Sequence, residues 1–578
     1  MPRIGGSPRA KLTYSPEQQF DTDEPVDPRG DIVVDLDDYR DRDANPQAFE
    51  LKDGEAVELE NEPGPSGEPS SGDFRKNLAL DYDDKFLDTL GEDIIEQIEG
   101  DIDERAPWRD RFERGLEMMG LVESDIDDGP FPGASNAVHP LLIEARTQFW
   151  ARAMGELFPP DGPAKGKVMG AQTDQLQQRA ARVSEYMNFD MTVQDEAYME
   201  EMSSLVWDLS FYGSCFDKTF NDPIYNQNQA IYVPADDLIV PAEARSLKTT
   251  PRFAHRMRKW PNEVRQLQVA GYYRDVELDL PSQEEENEVE KLKNETQDVE
   301  PDGDDKSVRH ELFETCINLD LEGDEHVGED GSPTGLERSY YVTVDRHTRK
   351  VLSIYRGWDE ADITCRRKLY INHWKYAPGE GFYGSGLFHL IGGLQVAATG
   401  ALRVLLDSAA SASLSGGFIS RHANLKGKTL ILTPGQWQPV DASADDLAKA
   451  FYAPPVKEPA AALFQLLGFL TERGEKFTAT TELQTGGADP KSAPVGTTQM
   501  MIEQGGKVMS AIHSGMHRTL GRSLRVRYQL MREFAPPDGY PYEVGEGQQR
   551  TVFADDFAPG VSIVPVSDPN VFSSAQRM

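Results

Sequence analysis

Residues Leu387 to Leu406 lie within the run LFHLIGGLQVAATGALRVLLDSAASASLSGG and are twenty mostly apolar positions crowded with Gly and Ala. A helix this apolar is not stable bare in water, so something must cover it. Twenty residues also suffice to cross a bilayer. Three side chains argue against that use. His389, Gln395 and Arg403 would all be immersed, and an arginine near the bilayer centre costs ~2.5 kcal/mol or more. No second span and no orienting basic loop accompanies the run. Gly393, Ala397 and Ala401 recur at every fourth position and give the helix a smooth face for close approach. The expectation is no membrane span, and a helix packed closely against copies of itself in a protein ring.

The rest of the chain divides by composition. Residues 1–75 are rich in Asp, Glu, Pro, Gly and Ser, and NEPGPSGEPSSGD (Asn61 to Asp73) offers almost nothing to bury. A disordered acidic arm is expected there. Helical patterns open the region 76–382. Phe86, Leu87, Leu90, Ile94, Ile95 and Ile98 form one stripe, and Pro107-Trp108 starts a second helix. A third helix, VHPLLIEARTQFWARAMGELF, is stopped by Pro159-Pro160, and Gln172 to Trp207 reads as one long helix with a Met and aromatic core face. Beyond Tyr212-Gly213 the period becomes two. FDKTFND, QAIYVPADDLIVP and TPRFAHRMRK read as strands, followed by the helix WPNEVRQLQVAG. Residues 275–307 are strongly acidic with few apolar positions, which predicts a solvated surface loop. Strands resume with HELFETCINLDL, with a hairpin turning at Asp345 to Thr348, and with CRRKLYINHWKY.

The remainder reads as helix 383–415, a small mixed insert 416–455, helix 456–477, a Gly/Pro/Thr-rich stretch 478–495 and a segment 496–578. The insert holds the strand-like KTLILTPGQWQPV. The last segment opens with a long helix, Thr497 to Phe534. Its second half is basic, with Arg518, Arg522, Arg525, Arg527 and Arg532 answered only by Glu533. The fold class is α+β, mainly helical with a β-rich region.

The balance of 59 Lys and Arg against 99 Asp and Glu gives a net charge of −40. Bulk charge does not hold such a chain to nucleic acid, because that binding neutralises phosphates with cations. Cys215, Cys316 and Cys365 lie far apart and make neither a disulfide framework nor a metal knuckle, so a reducing cytosol is the simplest origin. The opening MPRIGGSPRAKLTYSPEQQ lacks the apolar stretch of a secretory signal.

Chemistry-bearing motifs fail one by one. Gly379-Glu380-Gly381-Phe382-Tyr383-Gly384 fits G-x-G-x-x-G, but Glu380 puts a negative charge where a phosphate would lie. The acidic strand end that the motif requires falls at Arg403 to Asp407, still in helix, so a glycine-rich hinge is expected instead. His326 to Gly331, ending at Glu337, imitates a calcium loop, yet its first and third positions are His and Gly. His255, His373 and His389 sit among apolar residues and read as structural. No HExxH, GxxxxGK[ST] or GxSxG is present, so no catalytic residue, metal or cofactor is expected.

Four passages, in order, are similar to one family. QAIYVPADDLIVPAEA with RFAHRMRKWPNEVRQL resembles a wing of strands and helix. YAPGEGFYGSGLFHLIGGLQVAATGALRVLLDSA resembles a short Gly turn opening a long helix with a central Gln. The insert between two helices resembles a stem–clip–stem order, and the Gly/Pro/Thr-rich stretch before the third helix resembles a tunnel loop. The family is the portal proteins of tailed bacteriophages, and the resemblance spans Phe131 to Pro569 in the order of its elements. It implies a portal-like fold with a wing (76–382 and 496–578), stem helices (383–415 and 456–477), a clip (416–455) and a tunnel loop (478–495). The crown would be absent or truncated after Met578. The acidic arm and the acidic insert have no counterpart.

The resemblance further implies a dodecameric ring at one capsid vertex, assembled in the host bacterial cytoplasm and carried in the virion. Double-stranded DNA would be packaged and ejected through it. It would dock a terminase motor and then a tail adaptor, and meet the major capsid and scaffolding proteins. Being no enzyme, it would leave ATP hydrolysis to the terminase. Arg473, Lys476 and Lys491 would face DNA, and Thr485, Gly486, Gly487 and Pro490 would form the tunnel loop. Arg421, Lys426, Asp445 and Asp446 would dock partners on the clip, and Gly393, Ala397 and Ala401 would pack the ring. A head-to-tail adaptor, another virion ring protein and an acidic enzyme with an unrecognised site stay open.

Overall fold

The computed structural model describes residues 74–119, 134–279, 291–292, 294, 308–328, 332–413, 418–419, 451–452, 460–477, 495–544, 548–557 and 560–567. All of them belong to the unit Pro69–Met578. They form a mixed helix and strand fold with two main cores.

The first core joins a helix to a sheet. Asp83 caps helix α1 (Asp84–Glu104) by accepting from the Phe86 amide, and the Leu87, Ile94, Ile95 and Ile98 stripe is buried. That stripe clusters with Phe313, Val342, Val344 and Ile354 of a five-stranded antiparallel sheet. The sheet runs β4 (Leu238–Ile239), β5 (Arg252–Lys259), β6 (His310–Leu319), β7 (Arg338–Asp345) and β8 (Val351–Arg356). In the β7–β8 hairpin, Asp345 accepts from the Thr348 amide at 2.8 Å and its hydroxyl at 2.6 Å, so the expected turn is an Asp-anchored one. Asn77 fastens the entering chain to the sheet. Its amide donates to Leu352 O at 3.0 Å and its oxygen accepts from Ile354 N at 3.0 Å. Phe74 packs edge-on against Trp358, and the Arg75 guanidinium lies 4.8 Å over the Phe534 ring. Packing therefore reaches into the last two residues of the expected arm, and residues 1–73 fall outside the described residues.

The second core gathers helices α2 (Ala106–Met119), α3 (Leu141–Leu157), α4 (Asp174–Phe189) and α5 (Tyr198–Tyr212) around a three-stranded sheet. Its order is β3 (Gln227–Val233), β2 (Ser214–Asp222) and β9 (Ile371–Lys375). The Met and aromatic positions Tyr186, Met187, Met191, Tyr198 and Met202 are all core, as expected. The expected single helix 172–207 is instead two, parted by a π-helical turn at Asp190–Gln194. The reason is electrostatic. That turn and the residue after it aim Asp190 and Asp195 at the guanidinium of Arg527, which arrives from the long helix α9 (Val495–Glu533). QAIYVPADDLIVP likewise splits into β3 and β4, which lie in different sheets. Pro234 cannot donate to a ladder, and the following Asp236-Asp237 turn binds Arg256 at 2.8 and 2.7 Å.

At its start the acidic insert is solvated on one face, through Asp275, Glu277 and Asp279, and packed on the other. Val276 and Leu278 pack on the cluster around Val264 and Leu267 of helix α6 (Pro261–Val269). Leu292 packs on the main core, while most of 280–307 is outside the described residues.

The glycine-rich segment before Leu387 forms a close junction with the end of α5. Gly213 ends α5 with φ +83°, and a Cβ there would sit 2.3 Å from Gly386 N. A Cβ at Gly386 would sit 2.0 Å from Phe211 O. Two backbones are in contact there, which only residues without a Cβ allow. Gly386→Val should therefore lower unfolding stability by about 3 kcal/mol or more, read by urea titration.

Candidate functional site

The apolar run forms helix α7 (Leu387–Ser413), and helix α8 (Ala461–Phe477) packs along it. Between them β10 (Phe418–Ile419) pairs antiparallel with β11 (Phe451–Tyr452), so the insert leaves and returns through a two-stranded neck. Gly474 lies against Leu141 while Gln395 bonds Leu142, so the end of α8 sits beside the first half of α7 and the two make a hairpin.

One side of α7 is covered by the chain itself. Gln395 donates to Met118 O at 3.1 Å and His139 O at 2.5 Å. Thr399 accepts from His139 N at 3.2 Å, Arg403 donates to Ala137 O at 3.0 Å, and Asp407 accepts from Ser135 N at 2.8 Å. These four side chains recur at every fourth position and grip the backbone Ser135–Leu142, which leads into α3. In the sequence Gln395 and Arg403 count against a membrane span, but the face they share with Thr399 and Asp407 escapes that reading. The period-four polar row was the available signal. By length and composition, Leu387–Ala410 is one helix that could cross a membrane among the described residues. Its polar row is spent on the protein's own backbone.

The other side is bare among the described residues. Gly393, Val396, Ala397, Gly400 and Val404 are exposed, Val396 at 54%. The surface continues on α8 through Phe464, 60% exposed, and Phe469, 51% exposed. A Cβ at Gly393, Gly400 or Gly468 would meet nothing within 4 Å among the described residues. Ala401 corrects the expected small-residue face: it is 6% exposed, inside its own chain. Eight residues turn a helix about 80° past two full turns, which carries Ala401 inward and leaves Gly400 on the open face.

Of the expected channel residues, Arg473 is exposed, with its guanidinium 5.1 Å over the Phe469 ring at the edge of the bare surface. Lys476 lies on α8 with its side chain outside the description. Lys491, Thr485, Gly486, Gly487, Pro490, Arg421, Lys426, Asp445 and Asp446 lie outside the described residues.

Two buried clusters resemble catalytic groupings and are tied up structurally. Ser214 Oγ lies 3.0 Å from His373 Nε2 and accepts from Gly384 N at 2.7 Å, with Ser214 wholly buried. Burial, then Lys375 and Arg522, hold the His373 pKa well below the usual histidine value. Asp217 is fully buried and accepts from Trp374, Ser523 and Asn372. Among the described residues no group of three or more His, Cys, Asp or Glu is placed to hold a metal.

His255 is a buried histidine beside Lys218, Lys259 and Arg256, and burial is the first cause of a pKa held well below its ordinary value. The folded ring stays neutral while the unfolded one protonates near 6.5. The unfolded state then binds more protons, so stability falls as pH drops below about 6.5. His255→Phe should flatten that loss between pH 7.5 and 5, read by thermal melts.

No protein-family model matches the sequence, and no curated protein matches it.

Proposed function

We propose that this chain is a ring-forming virion protein of the portal type, a passive conduit for double-stranded DNA. The observation that supports it best is the α7–α8 hairpin. One side is bound to the chain's own backbone, and the other is apolar and bare over both helices. Apolar surface of that extent invites a neighbour, and in a head-to-tail arrangement that closes by rotation the neighbours are copies of the chain. β10 and β11 pin the neck of the insert at the end of the hairpin. That end is where a packaging motor and later a tail adaptor dock, on residues such as Arg421, Lys426, Asp445 and Asp446.

The charge suits a conduit. A chain of net −40 repels the DNA phosphates on average, so DNA passes without being held. A few cations such as Arg473 touch it locally, and Lys476 and Lys491 join them in this reading. A packaging reaction with procapsids and the matching terminase tests it. Shells built with this protein should take up DNA, and uptake that is equal without it would refute the reading.

A further inference from the structure

The exposed face of the second half of α9 carries Arg518, Arg522, Arg525 and Arg532. Their spacing of four, three and seven keeps them on one stripe, about 21 Å long at 1.5 Å per residue. Arg527, the fifth arginine, is turned inward to Asp190 and Asp195. None of the four makes an ion pair within 4 Å among the described residues. Arg518 donates to Ser514 O and Arg522 to Thr519, both on the same helix. Partial burial lowers the Arg522 pKa against the pull of Asp217, and Arg525 and Arg518 add to the lowering. The row therefore repels itself.

Helix α1 carries the opposite pattern. Asp88, Glu92, Glu96 and Asp103 are exposed on one stripe of about 22 Å, and none makes an ion pair within 4 Å among the described residues. Of the other acids of this helix, Asp84 pairs with Arg274 at 2.7 Å, Asp101 with Arg252 at 2.7 Å and Glu99 with Arg346 at 3.9 Å, while Asp93 and Glu104 are exposed off the stripe. Like charges four residues apart cost each helix a few tenths of a kcal/mol per pair, so both rows are unfavourable in a lone chain.

We propose that the arginine stripe of α9 docks the acidic stripe of α1 on a second copy of this chain. The two rows match in length and in number of charges and carry opposite sign. They lie on different helices of one molecule, so the contact can repeat head-to-tail and close a ring. The inference rests on the ring reading and deepens it: it gives strongly acidic copies an attraction that sets their register, beside the apolar hairpin contact.

The test uses two full-length variants with reversed charge, R518E/R522E/R525E and D88K/E92K/E96K, in sedimentation velocity near physiological salt. All six positions are exposed, and equal thermal melts confirm folding. Each variant alone should need about 30-fold more protein, or greater, to assemble, because three attractive pairs become repulsive. An equal mixture should assemble like the original chain, since each variant then meets its complement. Variants that assemble unaided as the original does overturn the pairing while leaving the ring reading standing. So does a mixture no better than its parts. An original chain that never assembles removes both. If reversing the arginines spares assembly and abolishes salt-sensitive binding of a short DNA duplex, the stripe is a nucleic-acid track and the pairing is wrong.

Discussion

Aspartate at both Val396 and Phe469 will leave the chain folded and reduce it to a monomer. Each side chain is more than half exposed in the single chain, so folding stability should change by less than ~0.5 kcal/mol. In an assembly that covers this surface the same two carboxylates would be desolvated without partners, at several kcal/mol each. The concentration needed for assembly should rise at least about a thousandfold, which corresponds to ~4 kcal/mol. Sedimentation velocity reads the assembly, and thermal melts read the fold. Unchanged assembly would mean that the hairpin face is not the contact.

Arg527→Ala should cost about 3–5 kcal/mol of unfolding stability. The guanidinium is 1% exposed and bonds Asp190 at 2.6 Å, Asp195 at 3.0 Å and Asn228 O at 2.9 Å. It holds together the π-turn, the start of β3 and α9. Burial already raises the Asp190 pKa against the pull of Arg527. Without the arginine two buried carboxylates would face each other. Arg527→Met combined with Asp190→Asn and Asp195→Asn should recover most of the loss, since breaking a buried pair costs more than replacing it. Urea titration of both variants decides this. Equal stability of Arg527→Ala and the original chain would show that the cluster is not structural.

Elements with a strong local period were legible in the sequence. The Phe86 to Ile98 stripe, the Met and aromatic positions of Tyr186 to Met202, and the long helices around Leu387 and Leu520 fell where their apolar spacing put them. What was not legible depended on partners distant in the chain. The break at Asp190–Gln194 is set by Arg527, more than three hundred residues away. The glycines before Leu387 are required by contact with Gly213 and Phe211, which no local pattern reveals. The polar row Gln395, Thr399, Arg403 and Asp407 was visible as a period, but its purpose needed the backbone of Ser135–Leu142 beside it. The small-residue face was read one position off, at Ala401, because a step of four drifts around a helix of 3.6 residues per turn.

In the proposed ring, copies of this chain meet through surface that a single copy leaves exposed. The most direct measurement is the mass of the purified full-length protein at micromolar concentration by light scattering, joined to electron-microscope end views of the same sample. A ring gives a mass many times 64.5 kDa and annular views with a central hole. A single species at 64.5 kDa, with no annular particles, would contradict it.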